Sequence, residues 1–444
     1  MLATLLTPEK STITNLLCTS ARQHQDWTAD YRLYSRDRIE QNKLFALIHQ
    51  TILTQLPALA PLVVSLDDTI TRKTGKHIHG SGWKRDPLGP AFQTNLVCAQ
   101  RYLQLSACYP LGEGQARSIP IDIHHCPSPI KPKANASEAE KQNYREALKQ
   151  QNLNHQTLQR LNHLRTTTPS ERRIILTGDG SYTNKTILNN LPSNTAYIGR
   201  TRKDLNLHYL PEPEATTLKG RPASYGKQAP TPEQLRQDPD TPWQIIRAYA
   251  AGKHHDFRIK TIDKLLWTKT GAKTKLRLIV IAPLGYRLTK SHKLLYRQPA
   301  YLLCTDLDIP VEQLLQNYLW RWGIEVNFRE EKTLIGTGQA QVRTASSNQH
   351  VPAITVAAYA LLWLSALKQI KEKSLSCLGR PKWRKAKNSG ELPSTGDLIR
   401  LLRYQTWAAA LRPSTFYHFA NKDQKYAKCQ KSKPDLAATL FSAA

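Results

Sequence analysis

Short apolar runs alternate with polar stretches along this chain, and their lengths predict a mixed α/β fold. Leu62–Leu66 has the pattern of a buried strand and stops at Asp67-Asp68-Thr69, while Ile174–Thr177 is a second such strand that ends in Gly178-Asp179-Gly180. The same pattern predicts further strands at 92–99, 101–108, 117–123, 196–200 and 299–305. Because helical patterns occur between and after these strands, we expect helices packed on a largely apolar sheet.

Helical patterns dominate the first 60 residues and the region after residue 310. Pro310 suits the first turn of a helix, so we expect a helix to begin there. The most apolar stretch, 351–367, is at the lower length limit for crossing a bilayer. Pro352 at its start and Lys368 at its end are typical of helix boundaries. We therefore predict a buried core helix there. Since the N-terminus also lacks a signal pattern, we expect a soluble cytoplasmic protein with no membrane partner.

The alternation of predicted strands and helices is interrupted once, between about 206 and 298. Turns rich in proline and glycine come first, and β-like stretches follow, with 12 Lys or Arg and two acids between Lys253 and Arg297. We interpret this block as a mostly β, basic insertion into the core. The predicted organisation has five parts. They are a helical N-terminal region at 1–60, the first part of the core at 61–205, the insertion at 206–298, the second part of the core at 299–370, and a basic C-terminal region at 371–444.

The charge of the chain indicates a polyanionic partner. Lys and Arg number 63 against 34 acidic residues, which gives a formal net charge of +29. An excess of this size repels itself unless a polyanion binds, and nucleic acid is the usual one. The seven cysteines include no Cys-x-x-Cys pair, so neither a zinc site nor a disulfide framework is predicted.

Four residues between 318 and 332 have the spacing of a functional helix face. Tyr318, Arg321, Glu325 and Lys332 stand at offsets 0, 3, 7 and 14. On a regular α-helix these positions fall within about 60° of one another. A carboxylate beside a phenol, a guanidinium and an ammonium suits metal binding next to phosphate binding. Periodicity alone, however, favours a solvated helix face with two ordinary ion pairs.

The spacing Y-x2-R-x3-E-x6-K resembles the signature of bacterial insertion-sequence transposases, which are DDE enzymes of the cut-and-paste type with a ribonuclease-H-like core. Gly178-Asp-Gly-Ser-Tyr182 resembles the second-aspartate motif of that group. The first-aspartate pattern, an aspartate two residues before a threonine, selects Asp67 with Thr69, and Asp68 remains an alternative. The resemblance covers roughly Asp67 to Leu367 and does not fix the two terminal regions. It implies DNA-end binding as the task of the region 1–60, and we expect the basic region 371–444 to serve DNA contact or dimerisation.

The resemblance implies that Asp67, Asp179 and Glu325 are the catalytic metal ligands. Three converging carboxylates repel one another, and hard oxygen ligands favour two Mg²⁺ ions, with Mn²⁺ as a substitute. An aromatic side chain is expected to stack on a flipped base, with Trp267, Trp320 and Trp322 as candidates. The residues predicted to contact DNA are Tyr318 and Arg321 at the terminal phosphate, Lys332, Lys73 and Lys76 on the loop after the first aspartate, Arg200, Trp320 and Trp322.

The function implied is a homodimeric transposase. It would cut an element at its inverted-repeat ends, pass through a DNA hairpin, and join the 3′ ends to double-stranded target DNA at the nucleoid. Two alternatives remain open at the level of sequence. One is a catalytically silent DNA-binding derivative of such an enzyme, and the other is a different ribonuclease-H-like nuclease.

Overall fold

The computed structural model of this chain describes residues 1–75, 77–86, 89–90, 92–211, 223–288, 291–379 and 392–408. These residues form two compact units. The sheet unit contains Glu40–Phe328 and Arg343–Gln349. The helical unit contains Met1–Ile39, Arg329–Val342 and the described residues from His350 onward.

The strands follow the apolar runs of the sequence. Leu62–Leu66 is buried at every position, because both faces of the sheet are covered there, as in the interior strands of α/β proteins. The strands are β1 Leu62–Arg72, β2 Gly82–Arg85, β3 Leu96–Gly112, β4 Gln115–Cys126, β5 Ile174–Gly178, β6 Thr195–Arg200, β7 Leu207–His208, β8 Gln244–Ala250, β9 Lys253–Trp267, β10 Leu276–Ile281, β11 Gly285–Tyr286, β12 Leu295–Tyr296 and β13 Ala300–Cys304.

One mixed sheet of 11 strands organises the sheet unit. Its order is β2-β3-β1-β5-β6-β13-β10-β9-β7, with β4 paired to β3 and β8 paired to β9. Strands β1, β5 and β6 are parallel to one another, whereas β3 pairs antiparallel with β1 and β4 pairs antiparallel with β3. An antiparallel pair feeding into three parallel strands is the mixed α/β arrangement that fits a ribonuclease-H-like nuclease.

Two strand boundaries differ from the prediction. Strand β1 does not stop at Asp67 but continues to Arg72, because β3 pairs with it from Val64 to Arg72. The stretches predicted as separate strands at 92–99 and 101–108 form the single 17-residue strand β3. A long partner strand thus extends β1 beyond its apolar run.

The block 206–298, predicted as an insertion, contributes strands to the same sheet as the core. Strand β10 pairs with β13 on one side and with β9 on the other. The reason lies in β10 itself, since Leu276–Ile281 is buried at all six positions and so needs neighbours on both edges and both faces. The hydrophobic core joins residues of β9 and β10 with residues of β1, β5, β6 and β13.

The helices frame the sheet and form the helical unit. The first 60 residues hold four of them, in agreement with their helical pattern. The helices are α1 Leu2–Leu6, α2 Ile13–Thr19, α3 Thr28–Ser35, α4 Gln41–Gln55, α5 Glu138–Gln150, α6 Leu153–Thr167, α7 Lys185–Leu188, α8 Pro232–Gln237, α9 Val311–Trp320, α10 Trp322–Glu330, α11 Ala345–Lys371 and α12 Thr395–Ala408, with a 3-10 turn at Thr268–Thr270 and a π-helical turn at Glu331–Ile335.

Helix α11 contains the predicted apolar helix, but Pro352 lies inside it and not at its start. Proline lacks an N–H, so the carbonyl four residues earlier, that of Asn348, loses its helical donor. The Tyr102 hydroxyl donates a hydrogen bond of 2.9 Å to that carbonyl. A donor from β3 therefore allows the helix to begin at Ala345, seven residues before the proline.

Within the described residues, α11 is the one helix whose length and composition would suffice to cross a membrane. Of its most apolar 18-residue window, 89% is buried inside the protein. Burial of this extent is typical of a core helix.

Candidate active site

Asp67 and Asp179 lie level with each other at neighbouring parallel strands. Strands β1 and β5 pair with Ser65 opposite Thr177, and each aspartate stands two residues further along its chain. The carboxyl ends of parallel strands are where α/β proteins place ligand sites. The parallel register therefore brings together the two acids that the sequence motifs predicted.

Asp67 and Asp68 project from opposite faces of β1, as adjacent strand residues do. Asp67 Oδ2 lies 3.3 Å from Arg321 Nη1 on the signature segment. Asp68 accepts a hydrogen bond of 2.9 Å from the Tyr182 hydroxyl and pairs with Arg101 Nε at 3.2 Å. Of the two candidates for the first acid, Asp67 is the one that shares a site with the signature segment.

The signature segment is not one regular helix. Helix α9 ends at Trp320 and α10 begins at Trp322, with Arg321 between them. Here the Arg321 N–H donates to the Tyr318 carbonyl and the Ile324 N–H donates to the Arg321 carbonyl. These bonds span three residues, so this turn is tighter than an α-helical one.

A second irregularity separates Lys332 from the other signature residues. The chain becomes π-helical at Glu331–Ile335, so the spacing after Glu325 departs from 3.6 residues per turn. The prediction that all four residues share one face of an α-helix is therefore wrong. Tyr318, Arg321 and Glu325 belong to the sheet unit, whereas Lys332 belongs to the helical unit.

Arg321 links the first and third acids. Its Nη2 donates to Glu325 Oε1 at 2.7 Å, while its Nη1 lies 3.3 Å from Asp67 Oδ2. The Arg321 side chain is only 14% exposed, so these pairs are shielded from water. One guanidinium thus partly neutralises both carboxylates.

Asp67 carries a strongly shifted pKa. It is raised from 3.8 to about 7, chiefly by burial and to a smaller extent by the nearby charges of Asp179 and Asp68, against the opposing effects of the Asp68 backbone N–H and Arg321. Raised pKa values of this kind are common where carboxylates converge.

Asp179 sits on a turn that its own neighbours fix. Its Oδ1 accepts hydrogen bonds from the Ser181 N–H at 2.8 Å and from the Ser181 hydroxyl at 2.6 Å. Its backbone carbonyl accepts a hydrogen bond from the Tyr197 hydroxyl at 3.3 Å. The Gly-Asp-Gly-Ser sequence thereby fixes the position of the carboxylate after β5 ends.

The donor set fits a hard divalent cation, but its arrangement is not that of a closed metal site. Among the residues that the structure describes, no group of three His, Cys, Asp or Glu side chains is arranged to hold a metal ion. Asp67 and Glu325 are instead both in contact with Arg321. Carboxylate oxygens are the ligands that Mg²⁺ and Mn²⁺ prefer, so metal binding here requires these two carboxylates to exchange the guanidinium for the cation.

Tyr318 lies among charged groups of the same site. Burial raises the pKa of its hydroxyl, and Asp179 raises it further, while Arg321 and Arg200 lower it. Arg200, at the end of β6, is exposed, and its backbone carbonyl lies 3.6 Å from the position a Gly180 Cβ would take. Two of the predicted DNA-contacting residues therefore adjoin Asp179.

The three predicted lysines are placed differently. Lys73 lies on the loop after β1, as predicted, but it is only 6% exposed, and burial lowers its pKa to about 8. Burial also lowers the pKa of Lys332 on the π-helical turn. Lys76 lies outside the described residues, as do the C-terminal basic residues 380–391.

The tryptophan candidates for base stacking are distinguished by exposure. Trp267 is 6% exposed and packs in the core, and the Trp320 indole N–H donates to the Gly114 carbonyl at 2.7 Å. Trp322 is 63% exposed. Of the three, Trp322 alone presents most of its ring to solvent.

Sequence reasoning missed a pair of exposed tyrosines. Strands β11 and β12 form a small hairpin with Tyr286 at 36% and Tyr296 at 65% exposure, and the Arg297 guanidinium lies 5.2 Å from the Tyr286 ring centre. The sequence signal for this surface was the combination of tyrosines and cations in a stretch without acidic residues, between Asp263 and Asp306.

The mixed sheet, with Asp67 on β1 level with Asp179 just after β5 and with Glu325 on α10, fits a ribonuclease-H-like nuclease. The model of the family described as DDE superfamily endonuclease matches residues 1–262. This chain belongs to that family, whose members generally act on DNA with divalent metals. A comparison with curated proteins gives no match.

Proposed function

We propose that this protein is a DNA transposase that cuts an insertion-sequence element at its inverted-repeat ends and joins the 3′ ends to target DNA. The observation that supports this most is the meeting of Asp67, level with Asp179, with Arg321 and Glu325 of the signature segment. Membership of the DDE superfamily endonucleases supports nuclease chemistry on DNA. The spacing of the signature supports transposition in particular.

Asp67, Asp179 and Glu325 are the proposed ligands of two Mg²⁺ ions, with Mn²⁺ as a substitute. Two such ions, when bound, activate an attacking water or 3′-hydroxyl and stabilise the leaving oxygen. When Asp67 and Glu325 hold cations, Arg321 no longer has to neutralise them. Its guanidinium then becomes available for bidentate hydrogen bonding to a DNA phosphate.

Tyr318 is proposed to donate a hydrogen bond to the same phosphate. Because burial raises the pKa of its hydroxyl, the group keeps its proton at neutral pH. A protonated phenol can donate to a phosphate oxygen, whereas a phenolate would repel it.

The path of the DNA is proposed to follow exposed cations near Asp179. Arg200, Lys203 and Arg236 line one cleft, in which Glu233 already pairs with Arg236. The hairpin of β11 and β12 adds Arg287, Lys293 and Arg297 beside its two tyrosines. Cations interleaved with aromatics suit phosphate contact and base stacking.

Two further features of the proposal rest on the resemblance alone. The freed 3′-hydroxyl would attack the opposite strand to give a hairpin that is reopened before insertion. A homodimer would hold the paired element ends. The proposed location in the cytoplasm at the nucleoid rests instead on the scattered cysteines and the positive charge.

The test is cleavage of a DNA fragment that carries the protein's own gene and the flanking DNA on both sides, incubated with purified protein and Mg²⁺. We expect discrete breaks or hairpin ends at flanking inverted repeats. Asp179→Ala, Glu325→Ala and Asp67→Asn should bind DNA and not cleave it. Asp68→Asn should retain cleavage, because Asp68 lies on the other face of β1.

Three results would contradict parts of this proposal. Cleavage by Asp179→Ala at the wild-type rate would overturn the site. Cleavage by Asp67→Asn but not by Asp68→Asn would exchange the roles of these two residues. Specific DNA binding without cleavage by the wild-type protein would instead favour the catalytically silent derivative.

A further inference from the structure

Helix α10 contacts the sheet through two residues that the signature does not include. Gly323 and Asn327 are four residues apart and therefore lie on the same side of the helix. A Cβ at Gly323 would stand 2.6 Å from the Cβ of Ser118 on β4. The Asn327 side-chain amide donates to Ser106 Oγ on β3 at 3.3 Å and to Ser118 Oγ at 3.1 Å.

This contact lies in the interior of the sheet unit. Asn327 and Ser106 are fully buried, and Ser118 is 4% exposed. The loss of these acceptors by a buried amide is unfavourable, so the hydrogen bonds restrict where the helix can sit. Gly323 sets the distance between helix and strand, and Asn327 sets the rotation of the helix and its position along the axis.

Neither residue is explained by the conformation of the helix. Gly323 is absent from the glycines with positive φ, so its backbone does not require glycine. Glycine is a much weaker helix former than alanine, and asparagine is also a weak one. Both residues are therefore explained by the close approach of α10 to the sheet and not by helix formation.

Glu325 stands between Gly323 and Asn327 in sequence, on the opposite side of α10. We propose that Gly323, Asn327, Ser106 and Ser118 form a docking seam that positions Glu325 for metal binding and catalysis. These are positioning residues, and the inference rests on the proposed function of the site. A shift of α10 at the seam moves the Glu325 carboxylate relative to Asp67 by a similar amount.

The test adds a Cβ to the helix at Gly323 and, in a second variant, also removes the opposing Cβ from the strand at Ser118. Gly323→Ala places a Cβ against that of Ser118 and pushes α10 off the sheet, since real Cβ contacts essentially never fall below 3.0 Å. A displacement of about 1 Å at a catalytic group costs roughly 100-fold in rate. The double variant Gly323→Ala with Ser118→Gly removes the clash and one of the two Asn327 acceptors, while Ser106 Oγ remains, so it should recover part of that loss.

The measurements are the single-turnover DNA cleavage rate, the Mn²⁺ affinity by calorimetry without DNA, and the thermal unfolding midpoint. We expect Gly323→Ala to lower both the rate and the Mn²⁺ affinity at temperatures where it is folded. Gly396→Ala is the matched control, because it lies in helix α12 and the nearest atom to its added Cβ is at the far end of the Arg400 side chain, at 3.3 Å. It should leave rate and affinity unchanged.

A purely structural role for the seam would lower the unfolding midpoint of Gly323→Ala and leave rate and Mn²⁺ affinity at wild-type values. That result would overturn the inference, as would a double variant no better than the single one. If Gly323→Ala does not fold, Asn327→Leu replaces it, because it removes both hydrogen bonds without a backbone clash.

The outcomes separate this inference from the proposed function. A wild-type protein that binds Mn²⁺ but cleaves no DNA contradicts the proposed function, and the Mn²⁺ affinities of the variants still test the seam. Wild-type cleavage together with full activity of Gly323→Ala contradicts the seam alone. A wild-type protein that neither cleaves nor binds Mn²⁺ overturns both.

Discussion

Opposing electrostatic effects act on the ionisation of the Asp67 carboxyl. Burial and two neighbouring aspartates oppose its ionisation, and Arg321 favours it from 3.3 Å. The same guanidinium is closer to Glu325, at 2.7 Å, so its charge is shared. Because one cation serves two carboxylates, with Asp179 also nearby, the site retains a demand for positive charge that a divalent ion would meet.

The raised pKa of Asp67 predicts a pH-dependent stability of the metal-free protein. The folded pKa of about 7 exceeds the usual 3.8, so the folded state holds this proton more tightly than the unfolded state does. The resulting stability is fully present below pH 4 and is lost as the pH rises to 7, by up to about 4 kcal/mol. Denaturant unfolding in EDTA across this range should show the loss in the wild type relative to Asp67→Asn, and parallel curves for the two proteins would contradict it.

Helix irregularities and strand extensions determine what each element presents to the site. The tight turn at Arg321 and the π-helical turn after Glu330 interrupt the regular helix on either side of Glu325. Strand β1 carries its two aspartates within a paired ladder and not beyond its end. In each case hydrogen bonds to other parts of the backbone override the local pattern of apolar residues.

Helix α11 offers a test of one such override. Tyr102→Phe removes the donor to the Asn348 carbonyl that Pro352 leaves without a helical partner, and it also removes the 3.0 Å contact with Gln100 Oε1, which shares the single hydroxyl proton. Leaving these buried acceptors unpaired should lower the free energy of unfolding by about 1–3 kcal/mol. Chemical denaturation provides the measurement, with Tyr209→Phe, at a 40% exposed tyrosine, as the control. Equal stability of the two variants would show that the Tyr102 hydroxyl is dispensable.

At the scale of the whole molecule, the charge is the dominant property. A net charge of +29 is large for 444 residues, and part of it lies on surfaces near exposed aromatics. The hairpin of β11 and β12 combines both features in the part of the chain that has no acids. Such a surface favours binding dominated by phosphate contacts.

Affinity for duplex DNA should therefore fall steeply with salt, by roughly 1,000-fold between 50 and 200 mM. Replacing Arg287 and Lys293 with Gln should reduce the slope of log affinity against log salt by about 2, or about 1 per lost phosphate contact. Fluorescence anisotropy across a salt series measures both effects. Replacing Arg145 and Lys149 of α5 with Gln changes the net charge equally and should leave the slope nearly unchanged. Equal slopes for both double variants would exclude the hairpin from the DNA contact.

The sequence by itself determined the α/β class, the buried runs that became β1 and β5, and the acids that follow them, because apolar periodicity and motif spacing are local properties. The tertiary structure decided three further points. It placed Asp67, and not Asp68, beside Arg321, it joined the strands of 206–298 to the core sheet, and it brought Gly323 against Ser118. Each of these depends on which distant segment pairs or packs with a given residue, and such pairing is set by long-range contacts that a local pattern does not specify.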